Sequence, residues 1–256
     1  MSQKFHHILI VGATGQLGSY LVSSGLFGNI LTPTRKILNL CDTPSIKKYF
    51  QAHSFDAIIH TAAIARMRDC QKDPVSAMQT NLMGTCRLVE ETLRKEKKMK
   101  KKIRYLYVST DGVYPSTRGP YKESDPAIPY NHYGWTKLGA ECAVHLLKDH
   151  CIIRTRFHDP AHIPFKIYAK DSFNSSLPLN ELAHAIHTLL YSRFIGTVNV
   201  GSKKSSDYAR YKKLKTAIRP CQLKDIQSKT PFILSRNASL DCSLWKKIIR
   251  TSSHVS

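Results

Sequence analysis

The chain has 256 residues, a formal net charge of +21 at pH 7 and 42% hydrophobic residues. This composition excludes a disordered chain and suits one large domain or two closely joined ones. No apolar run approaches the ~20 residues of a membrane-spanning helix, which excludes an integral membrane protein. Residues 1–7 lack the apolar core of a signal peptide, so the cytoplasm is the expected compartment. The seven scattered cysteines form no Cys-x-x-Cys pair, which predicts reduced thiols without a disulfide or metal site.

Short apolar segments alternate with segments of helical periodicity along the first 200 residues. The predicted strands cover residues 8–11, 29–31, 56–59, 103–108, 151–153 and 196–200. One helix is predicted to follow the first strand, and four more cover residues 45–53, 75–98, 133–148 and 182–190. This alternation predicts right-handed crossovers and a parallel sheet, and the wholly apolar strands indicate helices on both faces. The predicted fold is α/β, a Rossmann-type doubly wound parallel sheet.

Most of the excess positive charge lies in two segments. Residues 94–104 contain eight Lys or Arg and one acid, and residues 201–256 contain thirteen Lys or Arg and three Asp. Neither segment has the interleaved aromatic residues of a nucleic-acid stacking platform, so nucleic acid is not expected as the main partner. We interpret the first as the solvated end of a helix and the second as a basic surface around a site for an anionic substrate.

A glycine-rich turn follows the first predicted strand and opens the first helix. Gly12 permits a tight turn, Gly15 lets the backbone approach a pyrophosphate, and Gly18 lets the helix pack closely on the sheet. The amides and the positive end of the helix would then face the phosphates. The predicted cofactor-binding residues of this turn are Gly12, Thr14, Gly15, Gln16, Leu17 and Gly18.

The end of the second strand indicates which dinucleotide to expect. NAD sites usually place an Asp or Glu there to bind the ribose hydroxyls. This chain instead has no acid and two adjacent cations, Arg35 and Lys36. Arg35 can direct two hydrogen bonds to a 2′-phosphate. NADP(H) is therefore the predicted cofactor, with NAD(H) as the alternative.

A phenol and an amine stand four residues apart at Tyr133 and Lys137. At helical spacing they share one helix face, where an ammonium is expected to lower the pKa of a nearby phenol. Thr110 follows a predicted strand, and ligands bind at the carboxyl ends of strands in open parallel sheets. These three residues predict a site of proton transfer at that edge of the sheet.

Several segments together resemble a known family. They are residues 12–18, 60–63, 81–85, 109–114, 133–138, 154–155 and 237–241, which extend over nearly the whole chain. The sequence resembles the extended short-chain dehydrogenases/reductases, and most closely the dTDP-4-dehydrorhamnose reductases. This resemblance implies an NADPH-dependent reductase of a nucleotide-linked 4-keto-deoxysugar. A sugar-nucleotide epimerase of the same superfamily and a non-catalytic NADP-binding regulatory subunit are the alternatives.

The resemblance also implies roles for individual residues. Tyr133 would protonate the keto oxygen, Thr110 would hydrogen-bond it, and Lys137 would bind the nicotinamide ribose and tune Tyr133. Ala62 and Ala63 would line the adenosine side of the cofactor groove. Asn81 would support Lys137, and the residues expected to contact the substrate are Thr110, Asp111, Phe157 and Arg236.

One departure from the family concerns the substrate pocket. The family usually reads Ser-Trp where this chain has Arg156 and Phe157. Arg236 adjoins the 237–241 motif and is the predicted contact for the substrate diphosphate, because Arg can pair two phosphate oxygens.

The chain is expected to divide into two parts. Residues 1–156, with 182–200 returning to them, would form the NADP(H)-binding Rossmann domain. Residues 157–181 and 201–256 would form a smaller substrate-binding lobe. A nucleotide sugar is the predicted partner, no membrane is expected, and a homodimer is left open.

Overall fold

The computed structural model describes residues 5–252. Residues 1–4, and residues 253–256 of the predicted substrate-binding lobe, therefore lie outside the described part. The strands are β1 (Ile8–Val11), β2 (Ile30–Leu31), β3 (Ala57–His60), β4 (Arg104–Thr110), β5 (His150–Thr155), β6 (Phe157–His158), β7 (Ile167–Ala169), β8 (Phe173–Asn174), β9 (Leu177–Pro178), β10 (Gly196–Val200), β11 (Ser205–Ser206) and β12 (Arg219–Cys221). Six of them form the central sheet in the order β10-β5-β4-β3-β1-β2. Every neighbouring pair is parallel. The predicted α/β fold with a Rossmann-type parallel sheet is confirmed.

Helices cover both faces of this sheet. The α-helices of the described residues are α1 (Gln16–Ser23), α2 (Thr43–Ala52), α3 (Met67–Lys72), α4 (Pro74–Ala77), α5 (Gly84–Met99), α6 (His132–Val144), α7 (Leu179–Tyr191), α8 (Asp207–Leu214), α9 (Leu223–Gln227) and α10 (Ser243–Ser252). Leu21 of α1 and Ile186 of α7 are buried on one face. Ile46 of α2, Leu88 of α5 and Ala140 of α6 are buried on the other. In the described part of the chain, no helix combines the length and apolar composition needed to cross a bilayer.

The helix predicted over residues 75–98 is not uniform. A π-helical segment, Met78–Met83, lies between α4 and α5. It contains Asn81, whose carbonyl accepts a hydrogen bond of 2.6 Å from the Thr85 hydroxyl. Directly after it, Gly84 approaches Leu40 so closely that a Cβ would lie 2.8 Å from the Leu40 Cβ. Short π-helical segments within α-helices, such as Met78–Met83, are frequent at functional sites.

The remaining short strands lie in residues 157–181 and 201–252. β6 pairs with β9 and β7 with β12, both in parallel, whereas β8 and β11 are antiparallel. β10 joins the central sheet beside β5, and α7 begins at Leu179, three residues before the predicted start of that helix. The assignment of cofactor and substrate binding to two separate parts of the chain stays a prediction.

Candidate active site

A cleft of about 630 Å³ lies at the carboxyl edge of the central sheet. The chain leaves β1 for β2 on one side and later places β3 on the other side of β1. This reversal is the topological switch point at which open α/β sheets bind ligands. The cleft is lined by residues that follow β1, β3, β4 and β5, and its volume suits a small-molecule ligand.

Most of the predicted site residues meet in this cleft. Those that line it are Gly12, Thr14, Gly15, Gln16, Leu17, Gly18, Arg35, Ala62, Ala63, Thr110, Asp111, Tyr133, Lys137 and Phe157. They come from segments far apart in the chain, and the parallel sheet brings them to one edge. Their contacts with a ligand stay a prediction.

Arg236 is the exception among the predicted residues. It is exposed and is not part of the cleft lining. The adjoining motif closes a loop instead, since the Asn237 side-chain amide donates to the Gly119 carbonyl at 2.8 Å and its oxygen accepts from the Ser239 hydroxyl at 2.8 Å. The motif therefore packs within the protein, and the structure does not bring Arg236 to the other site residues.

The three glycines of the turn differ in how much space the surrounding protein leaves for a Cβ atom. Gly12 has a φ of +92°, and a Cβ there would lie 2.5 Å from the Ala62 nitrogen. A Cβ on Gly18 would collide with the Gly12 carbonyl. A Cβ on Gly15 would approach the same carbonyl only to 3.4 Å, an ordinary contact. Protein packing therefore requires glycine at 12 and 18, whereas Gly15 leaves space on the cleft side.

The start of α1 is available to an anion. Gly15 is the N-cap residue and provides no side-chain cap, and the first turn contains no acidic residue. Uncapped amides and the positive end of the helix dipole attract phosphate. The turn therefore fits the pyrophosphate of a dinucleotide.

Arg35 lies in the part of the cleft that follows β2. It is exposed, lines the cleft, and has no ion-pair partner among residues 5–252. Its neighbour Lys36 is also exposed but does not line the cleft. Of the two cations predicted from the sequence, the structure places Arg35 in the site.

Helix α6 places Tyr133 at the cleft. The Asn131 side chain caps the helix by accepting from the Gly134 amide at 2.8 Å, so Tyr133 lies in the first turn. Thr110 ends β4 and lines the same cleft, where its hydroxyl oxygen accepts from the Gly112 amide at 3.0 Å. The three predicted catalytic residues thus line one cleft together with the glycine-rich turn.

The pKa of the Tyr133 phenol is raised rather than lowered. Burial is the main cause, and Cys70 and Asp111 add to it. The hydrogen bond with Thr110 and the charge of Arg156 act in the opposite direction. A raised pKa keeps the phenol protonated at neutral pH, as a proton donor must be.

The sequence-based expectation that Lys137 lowers the pKa of Tyr133 is wrong for this structure. The buried Lys137 amine donates to the Val108 carbonyl at 2.8 Å and lies 4.0 Å from the centre of the Tyr107 ring. Burial lowers the pKa of Lys137 to about 7, against the opposing influence of Glu141. The Lys137 amine is therefore only partly protonated near neutral pH, and its hydrogen bond goes to the backbone of β4.

Among residues 5–252, no hydrogen bond joins the Asn81 side chain to Lys137. The Asn81 side chain accepts from the Ile64 amide at 2.8 Å and donates to the Ile64 carbonyl at 3.0 Å. It also donates to the Thr136 hydroxyl at 3.0 Å. Asn81 therefore ties the segment after β3 to α6, one residue before Lys137.

Arg156 lines the same cleft, although the sequence motifs predicted no role for its guanidinium. Its Nε donates to the Asp111 carboxylate at 2.7 Å. Tyr130, Asp207 and Tyr211 also line this side. The sequence shows Arg156 where the family usually has Ser. That Arg156 pairs with Asp111 could not be predicted, because it depends on the register of β4 and β5.

The parallel sheet, its glycine-rich turn and the cleft at its switch point define a Rossmann-type α/β protein. The chain belongs to the RmlD substrate-binding domain family, whose model matches residues 6–157. The match includes the glycine-rich turn and the three predicted catalytic residues.

Two curated relatives each align with slightly more than half of the chain. A dTDP-4-keto-6-deoxy-D-glucose reductase of Streptomyces niveus is 34% identical over 152 residues, which cover 57% of this chain and 51% of the relative. A methionine adenosyltransferase 2 subunit beta of Xenopus tropicalis is 32% identical over 145 residues, which cover 53% of this chain and 42% of the relative. The chain spans about half the length of the curated relatives it matches.

The fold as a whole also has a close counterpart. A dTDP-4-dehydrorhamnose reductase of Clostridium acetobutylicum superposes with a TM-score of 0.83 at 20% sequence identity. The match covers 97% of this chain and 99% of the other. At this identity the likeness shows a shared fold that extends beyond residue 157 to nearly the whole chain.

Proposed function

We propose that the protein is an NADPH-dependent reductase of a nucleotide-linked 4-keto sugar, with 4-keto-deoxysugars as the expected substrates. The observation that carries the proposal is the presence of Thr110, Tyr133 and Lys137 in one cleft with an uncapped glycine-rich turn. The reductase names of the Streptomyces relative and of the Clostridium structure support the same reaction class.

The residues of the cleft fit an NADP(H) cofactor. The turn around Gly15 would hold the pyrophosphate, Arg35 the 2′-phosphate, and Lys137 with Tyr133 the nicotinamide ribose. Ala62, together with Ala63, would line the adenosine side. When bound, the nicotinamide supplies the hydride for the carbonyl carbon.

The chain's own residues would act on the carbonyl oxygen. Tyr133 holds a proton because burial raises its pKa, and it would transfer this proton to the oxygen as reduction proceeds. Thr110 would donate its hydroxyl to the same oxygen. The Thr110 oxygen accepts from the Gly112 amide at 3.0 Å, and its hydroxyl donates to the Asp111 carboxylate at 3.2 Å. To bind the substrate oxygen, the Thr110 hydroxyl would turn its proton from Asp111 to the substrate.

A substrate screen tests the proposal. Purified protein is mixed with NADPH and a panel of nucleotide-4-keto sugars, and the loss of NADPH absorbance is followed. We expect turnover of at least one sugar, and a loss of about 10²–10⁴-fold in Tyr133→Phe because a general acid is removed. NADPH binding, measured by fluorescence titration, should persist in that variant. Activity retained by Tyr133→Phe would contradict the assignment of the proton donor.

A non-catalytic subunit is the second candidate function. The similarity to a protein named subunit beta of methionine adenosyltransferase 2 favours it. Such a protein would bind NADPH but reduce none of the sugars. An epimerase would interconvert two nucleotide sugars in the same screen without net NADPH consumption. The cytoplasmic location and the homodimer both stay proposals. Size-exclusion chromatography of the purified protein tests the homodimer.

A further inference from the structure

Three Lys or Arg side chains line the cleft within residues 5–252: Arg35, Lys137 and Arg156. Arg35 follows β2 and belongs to the proposed cofactor side. Lys137 is buried, and its amine is bound to the Val108 carbonyl. Arg156 is therefore the cation that the cleft offers to a second anionic ligand.

The fold holds Arg156 next to the reacting groups. Thr110 and Thr155 are partners in the register of β4 and β5, so Asp111 and Arg156 each stand one residue beyond a paired position. The Arg156 Nε donates to the buried Asp111 carboxylate at 2.7 Å. Because this bond uses Nε, the two terminal amino groups of the planar guanidinium can serve other acceptors.

The surroundings of Arg156 are suited to a polar ligand. Its side chain is 26% exposed, so it is partly open to the cleft. The neighbouring Tyr130 hydroxyl is buried and has no hydrogen-bond partner of good geometry among the described residues. Arg156 lies close enough to lower the pKa of that phenol, which burial otherwise raises.

No unpaired acid in the described cleft lining would repel an anion at this position. Its two acidic residues are Asp111 and Asp207. Asp111 is paired with Arg156, and Asp207 is paired with Arg210 at 2.5 Å. The Asn174 amide also donates to Asp207 at 2.9 Å.

We propose that Arg156 binds an oxyanion of the substrate, an assignment that rests on the proposed nucleotide-sugar reductase function. The oxyanion belongs either to the diphosphate that links nucleotide and sugar or to a carboxylate on the sugar. A guanidinium recognises both by the same pair of charge-assisted hydrogen bonds. The proposal places the substrate-side cation at Arg156, inside the cleft, instead of at Arg236.

The test uses the full chain saturated with NADP⁺, so that the glycine-rich turn is occupied. UDP-glucose, dTDP-glucose and UDP-glucuronate are titrated by calorimetry, with uridine and thymidine as phosphate-free probes. Arg156→Met should weaken binding of at least UDP-glucuronate by about 10-fold to 100-fold, the usual effect of losing a charge-assisted hydrogen bond. NADP⁺ affinity should be unchanged.

Two further variants keep the test decisive. Arg156→Lys retains a charge beside Asp111 but loses the planar fork, so it should fold and show a smaller loss. Arg118→Met removes an exposed arginine outside the cleft lining and should bind all probes like the wild type. Burial already raises the pKa of Asp111, so this carboxyl can take up a proton when Arg156 is replaced by Met.

The outcomes distinguish a diphosphate from a sugar carboxylate as the bound oxyanion. They also distinguish a failure of the Arg156 assignment from a failure of the reductase proposal. An equal loss for all three sugar nucleotides identifies the diphosphate, and a loss confined to UDP-glucuronate identifies a carboxylate. Unchanged affinities in both Arg156 variants would overturn the role of Arg156 and leave the reductase proposal intact. If the wild-type protein binds none of the three, the proposed function fails and this assignment fails with it.

Discussion

Arg35 is the residue on which cofactor choice is expected to depend. It is exposed at the cleft without an ion-pair partner in the described chain. Arg35→Glu should weaken NADPH binding by about 10-fold to 100-fold, because a charge-assisted phosphate contact is lost, and should affect NADH far less. Fluorescence titration with both cofactors measures this. Lys36→Glu makes the same charge change outside the cleft lining and should have a much smaller effect. Equal affinity of the unmodified protein for NADPH and NADH would sink the prediction.

Lys137 gives stability a distinct pH dependence. Its pKa falls from 10.5 in a solvated amine to about 7 in the folded protein. Between these values the unfolded chain binds the additional proton, so the unfolding free energy rises with pH in this window. The contribution of this one group is at most about 1.4 kcal/mol per pH unit.

Comparison with Lys137→Met isolates this effect from other titrating groups. Met fills similar space without a charge, so the variant should be more stable than the wild type at pH 7. The difference should shrink as pH rises from 7 towards 10. Urea unfolding of both proteins at pH 7, 8 and 9 measures it. A difference that stays constant over this range would show that Lys137 remains charged when buried.

At the scale of elements, the turn between β1 and α1 separates packing from ligand binding. A Cβ on Gly18 would collide with the Gly12 carbonyl, whereas a Cβ on Gly15 would meet it at 3.4 Å. Gly18→Ala should therefore displace α1 and lower the melting temperature. Gly15→Ala should leave the melting temperature close to wild type but weaken NADPH binding, since the added methyl occupies the space proposed for the pyrophosphate. Equal effects of both substitutions on stability would refute the distinction.

Helix α6 and strand β4 are joined by two buried contacts that set the site geometry. The Lys137 amine donates to the Val108 carbonyl at 2.8 Å, and the Ser109 hydroxyl donates to the Glu141 carboxylate at 2.5 Å. Arg154 on β5 completes this network with an ion pair of 2.7 Å to Glu141. Together these contacts fix the helix that carries Tyr133 against the strand that ends at Thr110.

At the scale of the whole molecule, much of the positive charge in residues 94–104 is neutralised or used internally. Arg94 pairs with Glu90, Lys101 with Asp56, and Arg104, which is buried, with Asp149. The Lys95 amine donates to the Phe50 and His53 carbonyls at 2.8 and 2.9 Å, near the end of α2. The segment spans the end of α5, as the sequence analysis expected. It is therefore a weaker electrostatic surface than its composition suggests.

This distribution predicts weak, non-specific binding of nucleic acid. Affinity for duplex DNA should fall steeply between 50 and 200 mM salt, with a Kd of about 10⁻⁶ M or weaker at physiological salt. Fluorescence anisotropy at several salt concentrations measures it. Replacing Lys97, Lys98, Lys100 and Lys102 together by Gln should reduce this binding and leave NADPH-dependent activity unchanged. Tight, salt-resistant binding of one sequence would instead identify nucleic acid as a specific partner.

The sequence by itself determined the features that arise from local interactions. Apolar runs and helical periodicity predicted the central strands to within two residues at each end, because burial between two helix layers selects such runs. The glycine-rich turn was predictable from its position between an apolar run and a helical segment, and the packing of Gly18 on the Gly12 carbonyl is a contact within the turn itself. The spacing of Tyr133 and Lys137 fixed their common helix face, since a helix repeats every 3.6 residues.

The tertiary structure alone decided how distant segments meet. The pairing of Arg156 with Asp111 follows from the register of β4 and β5, which no local pattern encodes. The same holds for Lys137, whose pKa reflects burial against Tyr107 more than its spacing from Tyr133. Arg236 adjoins a motif in the sequence yet lies outside the cleft, because that motif packs on a loop more than a hundred residues away. The charges and hydrogen bonds of the site depend on these long-range contacts, which form only when the chain folds.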